Sequence, residues 1–204
     1  MNTRRIRRIE LNKDNLTAVH SSLEITGDTA IVEQTDKNDI PDENTYARVI
    51  GLDFHNGVIE ADVKGSLMKN AFSDARGFVG IAFRINENDS EFECFYIRPT
   101  NGRDCTDPVR KSHGCQYFTY PGYIFSYYRE FGIEGYEAAV DTIALDEWAH
   151  IKIEVNGDKA KFYVNDELVL SSDKLKHGDS HGGIGLWTSC GAQGGFKNLT
   201  VTEY

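Results

Sequence analysis

Apolar and polar residues alternate along much of this chain, and this alternation predicts β-strands. Residues 148–164 show it most clearly, as two alternating segments that Asn156-Gly157-Asp158 separates. The tripeptide favours a hairpin turn, because its residues tolerate positive φ angles. Asn165-Asp166 offers a second turn directly afterwards. Since a two-stranded ribbon with one apolar face is marginal alone, the hairpin is expected to pack against a second sheet.

Further short strands are expected along the chain, and no long helical period interrupts them. The predicted strands are two weak ones within residues 14–32 and others at residues 58–63, 78–84, 92–98, 136–140, 184–187 and 196–201. No internal repeat, linker or second hydrophobic unit is evident. The pattern therefore predicts an all-β, two-sheet antiparallel sandwich that occupies residues 1–204 as one domain.

The charge and the apolar runs limit the partners to be expected. A formal net charge of −10 argues against nucleic acid, because phosphate binding needs a basic surface. No apolar run approaches the roughly 18 residues of a membrane helix, so no membrane partner is expected. The segment Arg4-Arg5-Ile6-Arg7-Arg8 is interpreted as a frayed terminus or a first strand, since no apolar signal segment follows. The sequence as written predicts a cytoplasmic protein, and a secreted protein whose signal has been removed is the alternative.

The cysteines and histidines do not have the spacing of a metal site. The four cysteines include no CxxC pair, so zinc is not expected. His177 and His181 are four residues apart, but they lie in a glycine-rich segment where helical spacing has no meaning. Free thiols are favoured over a disulfide between Cys105 and Cys115.

Seven segments in a fixed order, one of them Gln116-Tyr117, carry a resemblance to a known family. The segments are residues 56–62, 77–83, 93–99, 116–117, 148–153, 183–187 and 196–199, of which Tyr96-Ile-Arg-Pro99 and Gly183-Ile-Gly-Leu-Trp187 are the most specific. Over about residues 50–203 the chain resembles the concanavalin A-like lectin/glucanase jelly rolls, which include laminin-G-like domains. It is most similar to the bacterial 3-keto-disaccharide hydrolase-like group. The resemblance implies a jelly-roll sandwich with the ligand on or beside its concave face. It leaves calcium open as a bound ion, and no other metal or cofactor is expected.

Residue parity along successive strands defines a candidate binding face. If Phe83 and Phe95 belong to the core, the opposite face collects polar and aromatic side chains. These are Glu60, Asp62, Arg84, Tyr96, Arg98, Gln116 and Trp187. An aromatic ring that packs on a pyranose, with arginines, carboxylates and an amide that bond its hydroxyls, is typical of sugar binding. The alternative is a solvated sheet face with cross-strand ion pairs.

An aromatic run from Tyr117 to Tyr128 follows a long polar loop at residues 100–114. Long ordered loops are often functional, and Tyr117 is a candidate substrate-binding residue. The rings of this run can line a subsite beside Trp187 or form a partner interface, since tyrosine is enriched at interfaces. Packing into the core is the alternative for at least half of them.

The candidate catalytic residues are Glu60, Asp62 and Glu137. Glu60 and Asp62 are two residues apart on one strand, about 7 Å by strand rise, which suits an inverting hydrolase. Laminarinase-type glycosidases of this fold carry Glu-x-Asp-x-Glu, but this chain has Lys64 at the third position, which argues against a retaining glucanase. The resemblance to the 3-keto group implies elimination instead, with Glu60 or Glu137 as base and Arg98 as oxyanion stabiliser.

The expected ligand is therefore a carbohydrate, which is bound or processed in a cleft on the concave sheet. Whether the protein is an enzyme stays open, because the glucanase motif is incomplete. A non-catalytic lectin-like module and a laminin-G-like protein-interaction module are the alternatives. The identity of the sugar, the linkage and the oligomeric state do not follow from the sequence.

Overall fold

The computed structural model describes residues 4–35 and 42–204. Within these ranges the backbone is almost entirely β-structure. The strands, in chain order, are β1 (Arg5–Arg8), β2 (Leu16–Val19), β3 (Ser21–Thr26), β4 (Thr29–Gln34), β5 (Tyr46–Val49), β6 (Gly57–Leu67), β7 (Val79–Ile85), β8 (Phe92–Ile97), β9 (Cys115–Tyr120), β10 (Glu137–Ala138), β11 (Trp148–Asn156), β12 (Lys159–Val164), β13 (Glu167–Ser172), β14 (Gly183–Thr188) and β15 (Ala192–Glu203). The short helices are α1 (Pro108–Lys111) and α2 (Phe125–Glu130). No helix in this part of the chain is long and apolar enough to cross a membrane.

The strands form two antiparallel sheets. The first sheet has the order β13-β12-β11-β6-β15-β4-β3, and β1 also pairs with β15. The second sheet has the order β10-β9-β8-β7-β14-β5-β2. Because one apolar face of each sheet is buried against the other, the two sheets make a sandwich. The predicted all-β jelly-roll architecture is confirmed.

The hairpin that the alternation predicts is formed by β11 and β12. The two strands pair until Asn156 lies opposite Lys159, so Gly157-Asp158 makes the two-residue turn. Asn165 and Asp166 both have positive φ and turn the chain from β12 into β13. Glycine, asparagine and aspartate adopt this left-handed backbone at the lowest cost. The turn residues therefore account for both reversals.

The core between the sheets consists of alternate residues from both layers. Ring stacking crosses the interface: Phe162 of the first sheet stacks on Phe95 of the second with 4.9 Å between ring centroids. Ile59 and Phe83 lie fully buried in the same cluster. Burying such a side chain stabilises the fold by about 1.5–3 kcal/mol. The two sheets are thus held by apolar packing.

A second apolar cluster lies on the outer face of the second sheet. It contains Tyr46, Phe78, Phe92, Cys94, Tyr96, Phe118 and Trp187, and it is covered in part by Phe72 and Ile124. Cys94 and Tyr96 alternate with the core residues Phe95 and Ile97, as residue parity predicts. This face is therefore buried under loops instead of being open to solvent.

Several elements differ from the sequence expectation. The basic segment near the start forms β1, one of its two predicted forms. The sequence pattern did not predict β5 or helix α2. Helix α2 is rich in aromatic residues, which favour strands. The sequence also predicts a polar, proline-containing loop at residues 36–44, of which residues 36–41 lie outside the described ranges. Cys94, Cys105, Cys115 and Cys190 are free thiols, as predicted.

Candidate functional site

A cleft of about 800 Å³ opens on the outer face of the second sheet, beside the end of β8. Its walls come from the loop at residues 68–78, the loop at residues 99–114 and helix α2. The lining residues are Phe72, Ser73, Asp74, Arg76, Phe78, Tyr96, Arg98, Asn101, Val109, Arg110, His113, Phe125, Arg129 and Cys190. The cleft thus combines aromatic walls with four arginines.

An aromatic layer supports the cleft from the sheet. Tyr96 packs against Trp187 at 4.8 Å and against Phe78 at 5.2 Å between ring centroids. Gly80 lies opposite Tyr96 in the ladder, and a Cβ there would lie 2.5 Å from both Cα and Cβ of Tyr96. Only glycine allows the strands and rings to pack this closely. Tyr96 is thereby fixed with its hydroxyl next to Arg98.

Arg98 is the central charged group, and its side chain is only 7% exposed. Its Nη1 donates to Glu137 Oε2 at 2.5 Å, and its Nη2 donates to the Tyr96 hydroxyl at 2.9 Å. Nη2 also donates to the Gln116 side-chain oxygen, which the Tyr96 hydroxyl reaches at 3.1 Å. Side chains from β8, β9 and β10 therefore hold the guanidinium in one position.

Glu137 is the counter-charge of this arginine. Its Oε1 accepts from Arg129 Nη2 at 3.3 Å, and His113 Nε2 lies 3.8 Å from the same oxygen. Burial acts to raise the pKa of Glu137, but Arg98, together with Tyr136 and His113, holds that pKa below its usual value. Burial acts to lower the pKa of Arg98, but Tyr96 and Glu137 reverse this. Both groups therefore stay charged.

His113 is a titratable group that reaches the cleft with a partly exposed side chain. Its backbone carbonyl accepts from Arg98 Nη1 at 3.3 Å and from Asn101 Nδ2 at 3.1 Å, which fixes the residue. Burial lowers the pKa of its imidazole, and the charges of Arg129 and Arg98 lower it further. The charge of Glu137 acts to raise the same pKa, but the net shift is downward. The ring is therefore uncharged at neutral pH and can accept a proton.

Asp42 is a second buried carboxyl group near Arg98. Its Oδ2 accepts from Gln116 Nε2 and from the Phe125 backbone N–H, both at 3.3 Å. Oδ1 has no hydrogen-bond partner among residues 4–35 and 42–204. Burial raises the pKa of Asp42 to about 6, while the charge of Arg98 opposes that rise. Asp42 and Glu137 thus have pKa values that their surroundings move in opposite directions.

Glu60 and Asp62 lie on the other sheet, so the prediction that they share a face with Arg98 is wrong. They alternate with core residues on β6, which places them on the outer face of the first sheet. His150 lies between them, with Nδ1 2.9 Å from Asp62 Oδ1 and Nε2 3.6 Å from Glu60 Oε1. Parity shows on which side of its own strand a residue lies, but not which of two sheets the strand joins.

Arg84 and Tyr117 do not line the cleft either. The buried Arg84 side chain donates to the backbone carbonyls of three separate loops, at His55, Gly157 and Gly178. Tyr117 packs in the core between the sheets. A register shift in the pairing of β7 with β14 interrupts the strict alternation at Arg84. Tyr117 belongs to the inward parity of β9, opposite to that of Gln116.

Trp187, Tyr96 and Gln116 lie on the same sheet face as Arg98, as predicted, but loops cover them. Trp187 is fully buried, and its indole N–H donates to the Glu43 carbonyl at 2.7 Å. It therefore supports Tyr96 from below and offers no open ring for a ligand. Tyr96 and Arg98 reach the cleft, and Gln116 contacts both.

The sequence pattern did not single out Asp42, Arg76, Arg110, His113 or Arg129. These residues come from loops and from the two short helices α1 and α2, where alternation carries no information. The long loop at residues 100–114 and the aromatic run after it were the available signals, and both contribute to the cleft walls. In the described ranges, no group of three or more His, Cys, Asp or Glu is placed to hold a metal ion.

The sandwich has a jelly-roll fold that solved carbohydrate-binding and glycosyl hydrolase-like proteins share. Residues 20–202 match the family described as the 3-keto-alpha-glucoside-1,2-lyase-like domain, and the chain belongs to this family. The resemblance seen in the sequence is confirmed. No curated protein matches the chain.

Solved structures share the fold at low sequence identity. A carbohydrate-binding module, CBM66 from Bacillus subtilis, has a TM-score of 0.60 and 15% identity, with 92% of this chain and 95% of that chain covered. A putative glycosyl hydrolase from Parabacteroides distasonis has a TM-score of 0.59 and 15% identity, with 98% and 100% covered. A β-glucanase from Bacillus licheniformis has a TM-score of 0.54 and 11% identity, with 95% and 94% covered. At these identities the likeness concerns the fold alone.

Proposed function

We propose that this protein is a carbohydrate lyase, which binds a 3-keto-glucoside in the Arg98 cleft and eliminates the substituent at C1. The observation that carries the proposal is the fixed guanidinium of Arg98 beside an uncharged, partly exposed His113. The description of the family supplies the substrate class, since it names a 3-keto-α-glucoside and a 1,2-lyase.

The reaction follows from the ketone at C3. The ketone makes the hydrogen on C2 acidic, because the resulting enolate places negative charge on the C3 oxygen. A base removes the C2 proton, the electron pair forms the C1=C2 double bond, and the C1–O bond breaks. The departing oxygen then takes up a proton. Such a reaction needs a base and a positive group near the enolate, and not the two carboxyl groups of a glycosidase.

In this proposal His113 is the base and Arg98 supplies the positive charge. His113 Nδ1 accepts a long hydrogen bond of 3.5 Å from Arg129 Nη2, which the C2–H group of the substrate must displace before Nδ1 can take its proton. Glu137 holds Arg98 and stabilises the imidazolium that forms, from 3.8 Å. Its own lowered pKa makes it a weak base, so the expected base role of Glu137 is replaced by a positioning role.

Non-catalytic sugar binding is the second candidate function. Both terminal nitrogens of Arg98 already donate to protein groups, as they would in a purely structural ion pair. A carbohydrate-binding module is also among the proteins that share the fold. This candidate predicts that a sugar binds in the same cleft without any bond cleavage.

The two candidates differ in one assay with a synthetic 3-keto-α-glucoside. The product of elimination is conjugated with the C3 carbonyl and is followed by its near-ultraviolet absorbance. We expect turnover by the wild type and by Glu60→Gln, and a decrease of about 100-fold or more in kcat for His113→Gln with binding retained. Binding without turnover by the wild type supports the second candidate, and unchanged turnover by His113→Gln rejects His113 as the base.

A further inference from the structure

The cleft has a local charge opposite to that of the chain. The chain carries a formal net charge of −10, yet four arginines line this one cleft. The carboxylates that pair with them are Asp74 and Glu137. Asp42, behind the cleft wall, adds at most one further negative charge. Counted over the described residues, the cleft therefore keeps an excess of positive charge.

Arg110 is the clearest case of an uncompensated guanidinium. Its Nε donates to Asn101 Oδ1 at 3.2 Å, and its Nη2 donates to the Thr100 hydroxyl at 3.1 Å. These acceptors are neutral, and in the described ranges no carboxylate forms a salt bridge with Arg110. The Asp107 side chain caps helix α1 by accepting from the backbone N–H groups of Val109 and Arg110. The guanidinium is thus held in place without an anion.

Arg76 stands next to Arg110 through a shared neighbour. The Thr100 backbone N–H donates to the Arg76 carbonyl at 3.3 Å, while Thr100 also accepts from Arg110. Arg76 pairs with Asp74, but that carboxylate is 81% exposed, so water and salt screen the pair. Arg76 Nη1 also donates to the backbone carbonyl of Ser73. Two arginines from two chain segments that meet at Thr100 therefore line the cleft.

We propose that this Arg76–Arg110 side of the cleft is a subsite for an oxyanion that the sugar carries, so that the substrate is an acidic glycoside. The inference rests on the proposed function and names its substrate class. A planar guanidinium matches a carboxylate, sulfate or phosphate ester with paired hydrogen bonds. A neutral glucoside leaves the charge of Arg110 uncompensated and that of Arg76 paired only with the exposed Asp74. The aromatic walls, including Phe72 and Phe125, are suited to pack on the sugar ring.

Calorimetric titration tests this subsite without requiring turnover. The probes are glucuronic acid, glucose 6-phosphate, glucose 6-sulfate, glucose, inorganic phosphate and inorganic sulfate. We expect acidic sugars to bind at least about tenfold more tightly than glucose, and the preference to shrink as salt is added. Arg110→Gln should lower the affinity for the acidic sugars about tenfold and leave the affinity for glucose unchanged. Arg5→Gln, which removes the same charge from an exposed strand of the other sheet, should change neither.

Equal binding of glucose and the acidic sugars would overturn the subsite, and so would binding of the free ions without a preference among sugars. Arg76→Gln repeats the test if Arg110→Gln does not fold. If acidic sugars bind but the corresponding 3-keto-glycosides are not cleaved, the subsite is supported and the lyase is rejected. If neutral 3-keto-glucosides are cleaved as fast as acidic ones, the lyase is supported and the subsite is rejected.

Discussion

Arg98 and Glu137 form a buried ion pair, with 2.5 Å between Nη1 and Oε2 and with less than a tenth of either side chain exposed. Glu137→Gln is expected to destabilise the protein by about 3 kcal/mol, because the charge of Arg98 then stays buried without its partner. The double variant Arg98→Met/Glu137→Leu should recover most of that loss. Urea unfolding measures both, and a stability of Glu137→Gln equal to that of the wild type would contradict the assigned pairing.

The pH dependence of turnover reports on His113. Because the neutral imidazole is the active form, kcat/KM should fall as the pH decreases through the pKa of His113, which lies below its usual value. Glu137 acts to raise that pKa, so Glu137→Gln should move the acid limb of the profile to lower pH. A merely structural glutamate would change the rate and leave the limb in place, and that result would contradict the proposed coupling.

Asp42 is expected to make stability depend on pH. Its pKa of about 6 in the folded protein is raised above the ordinary value of 3.8. The folded state therefore holds this proton more tightly than the unfolded state, and the stability it contributes is complete below pH 3.8 and lost as the pH rises through 6. Asp42→Asn should change the free energy of unfolding more favourably at pH 7.5 than at pH 3.5, with a difference of up to about 3 kcal/mol between the two effects. An equal effect at both pH values, measured by urea unfolding, would exclude a raised pKa.

Arg84 is expected to matter for folding and not for ligand binding. Arg84→Met removes the donors of three loop carbonyls and leaves those acceptors buried, which should cost about 3 kcal/mol or more. Arg103→Gln is the matched control, since Arg103 pairs with Glu147 at the surface, and it should change stability little. Calorimetric titration at a temperature where both variants are folded should give sugar affinities equal to those of the wild type. A selective loss of affinity in Arg84→Met would return Arg84 to the binding site.

The strand pattern and the turn chemistry allow much of the fold to be predicted from the sequence. Gly157 and Asn165-Asp166 reverse the chain because few other residues accept a left-handed backbone. The opposite parity of Tyr96 and Phe95 follows from the period of a strand. These are local properties, and a single segment of sequence contains them.

The binding site depends on non-local relationships that the pattern does not contain. The assignment of β6 and β8 to different sheets separates Glu60 from Arg98, although both have the parity of an outer face. Burial of Trp187 depends on loops that fold over the sheet, and His113 and Arg110 enter the cleft from a loop without any period. Of the predicted site, the part that remains together is Arg98 with its contacts from Tyr96, Gln116 and Glu137.

The most direct test of the lyase is a reaction with a 3-keto-α-glucoside that carries deuterium at C2, in water enriched in ¹⁸O. Elimination predicts that the deuterium is lost when the C1 substituent leaves, with a primary isotope effect on kcat/KM, and that the unsaturated product contains no ¹⁸O at C1. Release of a sugar that retains deuterium at C2 and contains ¹⁸O at C1 would show direct hydrolysis and contradict the proposed function.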